Sequence, residues 1–254
     1  MIPKPVFTGI AAALVTFFDE HGLVDVDGTA KHAAHLTDRG VRAVVVAGST
    51  GEASHLSLKE RLQIFKAVKD AVPPYVPVIL GTGDLAPGVS VPNLTRLAAK
   101  AGADAALVLS PRHGDVREFY GEVVGASGSM PVLAYHYPKV SPPGITMDDL
   151  KVLKVAGIKD STGDTERMLE MLACFRQPVY TGNSSVVAYA GMLGCTGAIL
   201  AAANLEPELC SDAFAGSVVA QKDLLFAHRI NSQYGVKGIK EELARKFGTS
   251  TVCR

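Results

Sequence analysis

The chain has 254 residues, with 25 Lys+Arg against 25 Asp+Glu, so its formal net charge is zero, and 48% of the residues are hydrophobic. The charge balance argues against nucleic acid or an anionic membrane surface as the main partner, and the apolar content excludes an intrinsically disordered chain. The length suits a single α/β barrel, and no apolar stretch reaches the roughly 20 residues needed to span a bilayer.

The first segment, MIPKPVFTGIAAALVTFFDEHG, is apolar, but its prolines, weak charge and following Asp19-Glu20 mark a buried first strand rather than a signal peptide. In chain order, short apolar runs predict strands at residues 8–16, 43–47, 76–80, 105–109, 132–135, 156–159, 179–181 and 197–200. Between them lie segments with three-to-four periodicity. Residues 58–72 follow Ser57, with Glu60 three positions later, the pattern of a capping box. Residues 91–101 and 146–153 read as further helices, and 218–234 and 238–246 as helices appended outside the barrel. Eight β–α alternations favour a closed parallel (β/α)8 TIM barrel with a short C-terminal helical extension, over an open doubly wound sheet. The division expected is a barrel catalytic domain over 1–205, then the last barrel helix and the extension over 206–254. Cys174, Cys195, Cys210 and Cys253 have no CxxC or zinc spacing, so reduced thiols in a cytoplasmic protein are expected.

Reactive groups of such a barrel sit at the C-terminal strand ends and in the loops that follow. Strand six ends in Gly157-Ile158-Lys159-Asp160-Ser161. Burial at a barrel mouth favours the neutral amine, the form that condenses with a ketone; the plain alternative is a lysine that turns outward to water. Strand five ends in Ala134-Tyr135-His136-Tyr137-Pro138, and alternation puts Tyr135 and Tyr137 on one face and His136 on the other. Tyr135 then either shuttles protons beside the lysine or packs as an ordinary aromatic, while His136 reads as structural. Strand two ends in Gly48-Ser49-Thr50-Gly51-Glu52, a turn whose N–H groups and hydroxyls suit a carboxylate or simply bond locally. The loops at Gly81-Thr82-Gly83-Asp84 and Gly182-Asn183-Ser184-Ser185 add small and polar groups to the same rim. His32, His35 and Asp38, at helical spacing, read as a solvated face and not as a metal site.

Gly-Ser-Thr-Gly-Glu, Tyr135-His136-Tyr137-Pro138 and Gly157-Ile158-Lys159-Asp160, in this order and spacing on a barrel pattern, resemble the dihydrodipicolinate synthase / N-acetylneuraminate lyase family of class I aldolases. The resemblance runs from Phe7 to about Asn204 and weakly to the end. It implies a lyase or aldolase in which Lys159 forms a Schiff base with pyruvate or another 2-oxo acid, and an aldehyde is the other partner. It further implies that Tyr135 relays protons, that Ser49 touches that relay, and that Ser49 and Thr50 bind the carboxylate. Beside the resemblance, Gly48, Gly51, Gly182, Asn183 and His113 are expected to line the substrate site from the rim loops they stand on; no metal or organic cofactor is required, and the resemblance implies a homo-oligomer, a dimer or tetramer.

Two departures bear on substrate. Where the synthase branch places an arginine that holds the incoming semialdehyde's carboxylate, this chain has Val140, with Lys139 beside it. Where the family often has two aromatics after strand four, this chain has Arg112-His113, so His113 either takes over acid–base work or the relay is lost. The 4-hydroxy-tetrahydrodipicolinate synthase of lysine biosynthesis therefore stands as one alternative, and a 2-oxo-acid-binding barrel without turnover as another.

Overall fold

The computed structural model describes residues 4–83 and 90–254; Asp84 lies outside them. Eight strands close into one all-parallel barrel in chain order: β1 (Gly9–Ala13), β2 (Ala43–Val46), β3 (Val78–Gly81), β4 (Ala105–Leu109), β5 (Val132–His136), β6 (Gly157–Asp160), β7 (Val179–Thr181) and β8 (Gly197–Leu200). The ring is completed where β1 pairs with both β2 and β8. The helices are α1 (Val26–Asp38), α2 (Leu58–Ala71), α3 (Val91–Lys100), α4 (Val116–Ser127), α5 (Met147–Leu150), α6 (Thr165–Cys174), α7 (Val187–Met192), α8 (Pro207–Phe214), α9 (Val218–Asp223) and α10 (Leu225–Phe247).

The period-two alternation of the strands sorts the core into two layers. One face of each strand, including Ile10, Ala12, Val44, Val46 and Ile158, packs against the helices. The other face, with Ala11, Ala13, Val45, Ile79, Leu107, Leu133, Tyr135, Tyr180 and Ile199, fills the barrel. All eight strands are buried on both faces, the reason each reads in sequence as a short continuous apolar run.

Helix α2 begins with the capping box expected of it: the Ser57 hydroxyl accepts from the Glu60 amide, and Glu60 accepts from the Ser57 amide at 2.8 Å. Strand β1 is shorter than its apolar run because Asn204 takes over its pairing. The Asn204 side chain donates to the Ala13 carbonyl at 2.7 Å and accepts from the Val15 amide at 3.2 Å. The same amide oxygen lies 3.2 Å from Nε2 of His32. His32 is therefore buried and holds the β8 loop, correcting the expectation of a solvated face; burial lowers its pKa to about 4. His35 and Asp38 are exposed as expected.

The pattern at 146–153 yields only the single turn α5. Residues 218–234 divide into α9 and the first half of α10. Within α10 the helical dihedrals break at Gly235 (φ 61°, ψ −146°), a conformation open to glycine. Among the described residues, no helix is long and apolar enough to cross a membrane.

Candidate active site

Lysine 159 is placed by alternation. Ile158 and Asp160 face the helices, so Gly157 and Lys159 face the barrel, with Tyr135 of β5 on one side in register and Tyr180 of β7 on the other. The lysine is 6% exposed, and its Nζ lies 4.2 Å from the centroid of the Tyr135 ring. Burial lowers its pKa, to about 7 from the ordinary lysine value, and no carboxylate among the described residues pairs with it. The lysine fits because position 182 carries no side chain: a Cβ there would lie 2.7 Å from the Lys159 Cε and 2.0 Å from the Ser161 Oγ.

Tyr135 is also buried, which pushes its pKa up to about 12; hydrogen bonds from Ser161 and Ser49 act in the opposite direction. The Ser161 hydroxyl donates to the phenol oxygen at 3.4 Å. At neutral pH the phenol thus keeps its proton while a large share of the amine has lost its own. A neutral nucleophile beside a proton-bearing group is the pairing that carbonyl condensation requires.

Ser49, Thr50, Tyr135, Lys159, Gly182 and Asn183 converge on one cavity of about 640 Å³. Gly48 lines a smaller adjoining cavity of about 150 Å³ together with Ser49, Tyr135 and Val140. Gly51 lines neither; it closes the turn, its amide bonding the Gly48 carbonyl at 3.0 Å and its carbonyl accepting from Thr16 at 2.8 Å. His113 also lines neither. It is exposed on the loop after β4, and Arg112 beside it donates to the Val140 carbonyl at 2.8 and 3.2 Å. His136, on the opposite parity, accepts from the Ile145 amide at 2.8 Å on the helix side of the sheet, a structural role.

The sequence reading missed one wall. Helix α10, expected as an appendage outside the barrel, brings His228, Asn231, Ser232 and Val236 to the larger cavity, and His228 Nδ1 lies 3.1 Å from the Ser184 hydroxyl. Strand periodicity carries no information on where an appended helix packs, so nothing in the sequence signalled this contact. Ser161 was legible as a strand-end hydroxyl on the parity of Lys159, but the motif drew attention to the lysine alone.

A closed (β/α)8 barrel with a buried lysine at the end of β6 that no carboxylate among the described residues pairs, facing a phenol and a hydroxyl-bearing turn, defines an enzyme of the Schiff-base-forming carbon–carbon lyase class. Residues 6–232 match the model of the dihydrodipicolinate synthetase family, and the chain belongs to that family. The 4-hydroxy-tetrahydrodipicolinate synthase of Corynebacterium diphtheriae is 32% identical over 237 residues, covering 89% of this chain and 77% of the relative. That of Pseudomonas aeruginosa is 32% identical over 235 residues, covering 84% and 78%. Among solved structures, the dihydrodipicolinate synthase of Acinetobacter baumannii complexed with pyruvate superposes with a TM-score of 0.87 at 27% identity, covering 97% of this chain and 91% of that one. A prophage protein of the dihydrodipicolinic acid synthase family from Escherichia coli K12, in complex with pyruvate, gives 0.88 at 26%, with the same coverage.

If burial sets the state of Lys159, competitive acetylation of the folded protein, mapped by mass spectrometry, should titrate this residue with a midpoint near 7. The neutral, reactive fraction rises through that pH and levels off above it. A midpoint at the ordinary lysine value of about 10.4 would show that the amine stays charged in the fold.

Proposed function

We propose that the chain is a class I lyase or aldolase that forms a Schiff base between Lys159 and pyruvate or a related 2-oxo acid. The observation that carries the reading is the buried amine of Lys159, with no carboxylate among the described residues to hold it charged. In this reading the turn at Ser49 and Thr50 takes the substrate carboxylate. Nζ of Lys159 bonds to the keto carbon, and the carbonyl electron pair moves to oxygen. Protons passed through Tyr135, assisted by Ser49 and Ser161, let that oxygen leave as water. The iminium then accepts the electron pair of the carbon–carbon bond that breaks, or loses a proton to become the enamine that attacks an aldehyde. Hydrolysis returns free Lys159.

The aldehyde's place is the opposite wall, where Asn183, Ser184, His228, Asn231 and Ser232 present neutral hydrogen-bonding groups. Burial lowers the pKa of His228, which keeps this wall uncharged near neutral pH. An aldehyde bearing hydroxyls suits it. The synthase reaction of lysine biosynthesis is the second reading, favoured by the relatives' names and opposed by Val140. A homo-oligomer remains part of the proposal: His113, exposed on the loop after β4, sits where the resemblance expects a group that reaches a neighbouring subunit.

A panel of 2-oxo acids and aldehydes, scored by pyruvate release or consumption, tests the reading. Lys159→Arg should abolish turnover with any active pair, since a guanidinium stays charged and does not attack a carbonyl. Tyr135→Phe should lower kcat by about 10²–10⁴-fold with little change in binding. Substantial turnover by Lys159→Arg would overturn the Schiff base, and a change under about threefold would return Tyr135 to a packing role.

Val140→Arg separates the two substrate readings. A charge-assisted pair to a desolvated carboxylate contributes about 1.5–3 kcal/mol, or about one to two decades. The kcat/KM ratio of aspartate semialdehyde to an aldehyde without that carboxylate should therefore rise in the variant. Efficient use of the semialdehyde by the wild type would instead mean that Arg112 or Lys139 supplies the charge, and the lysine-pathway reading would lead.

A further inference from the structure

The turn that carries Ser49 and Thr50 ends at Glu52, a non-glycine residue in the left-handed region (φ 55°) and only 8% exposed. Its carboxylate meets Lys240 of α10, which is fully buried, at 2.5 Å. The ammonium also donates to the Val252 carbonyl at 2.7 Å and lies 4.4 Å from the Phe18 ring centroid. The second carboxylate oxygen accepts from the Arg254 amide at 2.9 Å. Arg254 in turn donates to the carbonyls of Gly22 and His55 and to Glu60, and covers Phe18 at 4.7 Å.

A buried charge pair contributes little net stability compared with a well-packed apolar pair, but it is strongly directional and leaves an uncompensated charge when one partner is lost. Its placement is informative here. Glu52 donates its own amide to the Ser49 carbonyl, and Ala53 and Gly51 both bond the Gly48 carbonyl. The orientation of the Ser49–Thr50 segment is thus set at its downstream end by a residue whose side chain is held from α10. One turn earlier, the same helix gives Val236 and Gly235 to the wall of the larger cavity.

We propose that the Lys240–Glu52 pair is a positioning device for the 2-oxo-acid carboxylate site, through which α10 sets the geometry of the Ser49–Thr50 turn. The proposal rests on the reading of that turn as the carboxylate site. Neither residue touches substrate; they act through the turn, so their loss should weaken capture of the 2-oxo acid more than the chemistry at Lys159.

The test is calorimetric titration of pyruvate into the wild type, Glu52→Gln and Arg254→Ala, with borohydride trapping at saturating pyruvate as a parallel measurement. Glu52→Gln keeps the volume and one acceptor oxygen but removes the charge. Arg254→Ala releases the segment that supplies the Val252 carbonyl and the Arg254 amide, and serves if the first variant does not fold. Misplacing a binding group by a fraction of an ångström to 1 Å is enough to expect the pyruvate Kd of Glu52→Gln to rise about ten-fold or more, with the extent of Lys159 labelling at saturation unchanged. Arg254→Ala should shift in the same direction by a smaller factor. Folded variants that bind pyruvate within about two-fold of the wild type overturn the proposal, as does a loss of trapping at saturation with Kd unchanged. If the wild type binds pyruvate but is not trapped, the Schiff-base reading fails and the Kd comparison still decides this one. A wild type that does not bind pyruvate overturns both.

Discussion

Putting the Lys159 amine in the barrel without an anion beside it is the constraint around which the rest of the site is organised. A buried ammonium is costly unless it is paired or gives up its proton, and here no carboxylate among the described residues pairs with it. The nearest acid in sequence, Asp160, is directed to the other side of the sheet by strand alternation. There Arg167 donates to it at 2.8 Å, and the buried His136 lies 4.0 Å away. The sheet itself separates the charge from the amine. An Asp160 facing inward would raise the pKa of Lys159 and favour the charged amine. The space for the lysine comes from Gly182, and the same burial that favours loss of a proton from Lys159 keeps the proton on Tyr135.

The cavity has two chemically distinct sides. At the β2 end, a hydroxyl-bearing turn reaches Tyr135, while at the α10 end the groups are neutral hydrogen-bond donors and acceptors. Among the described residues, Lys139, Lys159 and His228 are the basic side chains that line the larger cavity, and no Asp or Glu lines it. An anionic 2-oxo acid therefore meets no carboxylate among the described residues of this wall. The closing wall belongs to α10, which through Lys240 and Glu52 also reaches back to the Ser49–Thr50 turn, so both sides of the cavity depend on the packing of one helix.

How much of this was legible in the sequence follows from which signals are local. Strand alternation is local, so the inward placement of Lys159 and Tyr135 and the outward placement of His136 could be read from parity. The cap of α2 is local, and Ser57 and Glu60 announced it. The ends of β1 were not legible, because Asn204, some 190 positions away, supplies the bonds that end the ladder. His32 looked like part of a polar helix face for the same reason: its partner is that distant amide. Periodicity placed the α10 helix but not its contacts, so His228, Asn231 and the Lys240–Glu52 pair had no counterpart in the sequence reading. Gly51 and His113 are expected at the substrate site from the rim loops they stand on, yet one is a turn-closing residue and the other is exposed outside both cavities of this chain.

The most direct measurement of the central claim is the mass of the protein after incubation with pyruvate and borohydride, followed by peptide mapping. The account predicts a single adduct of reduced pyruvate on the peptide containing Lys159, with none on Lys139 or Lys240. An unmodified chain, or an adduct on another lysine with Lys159 untouched, would contradict it.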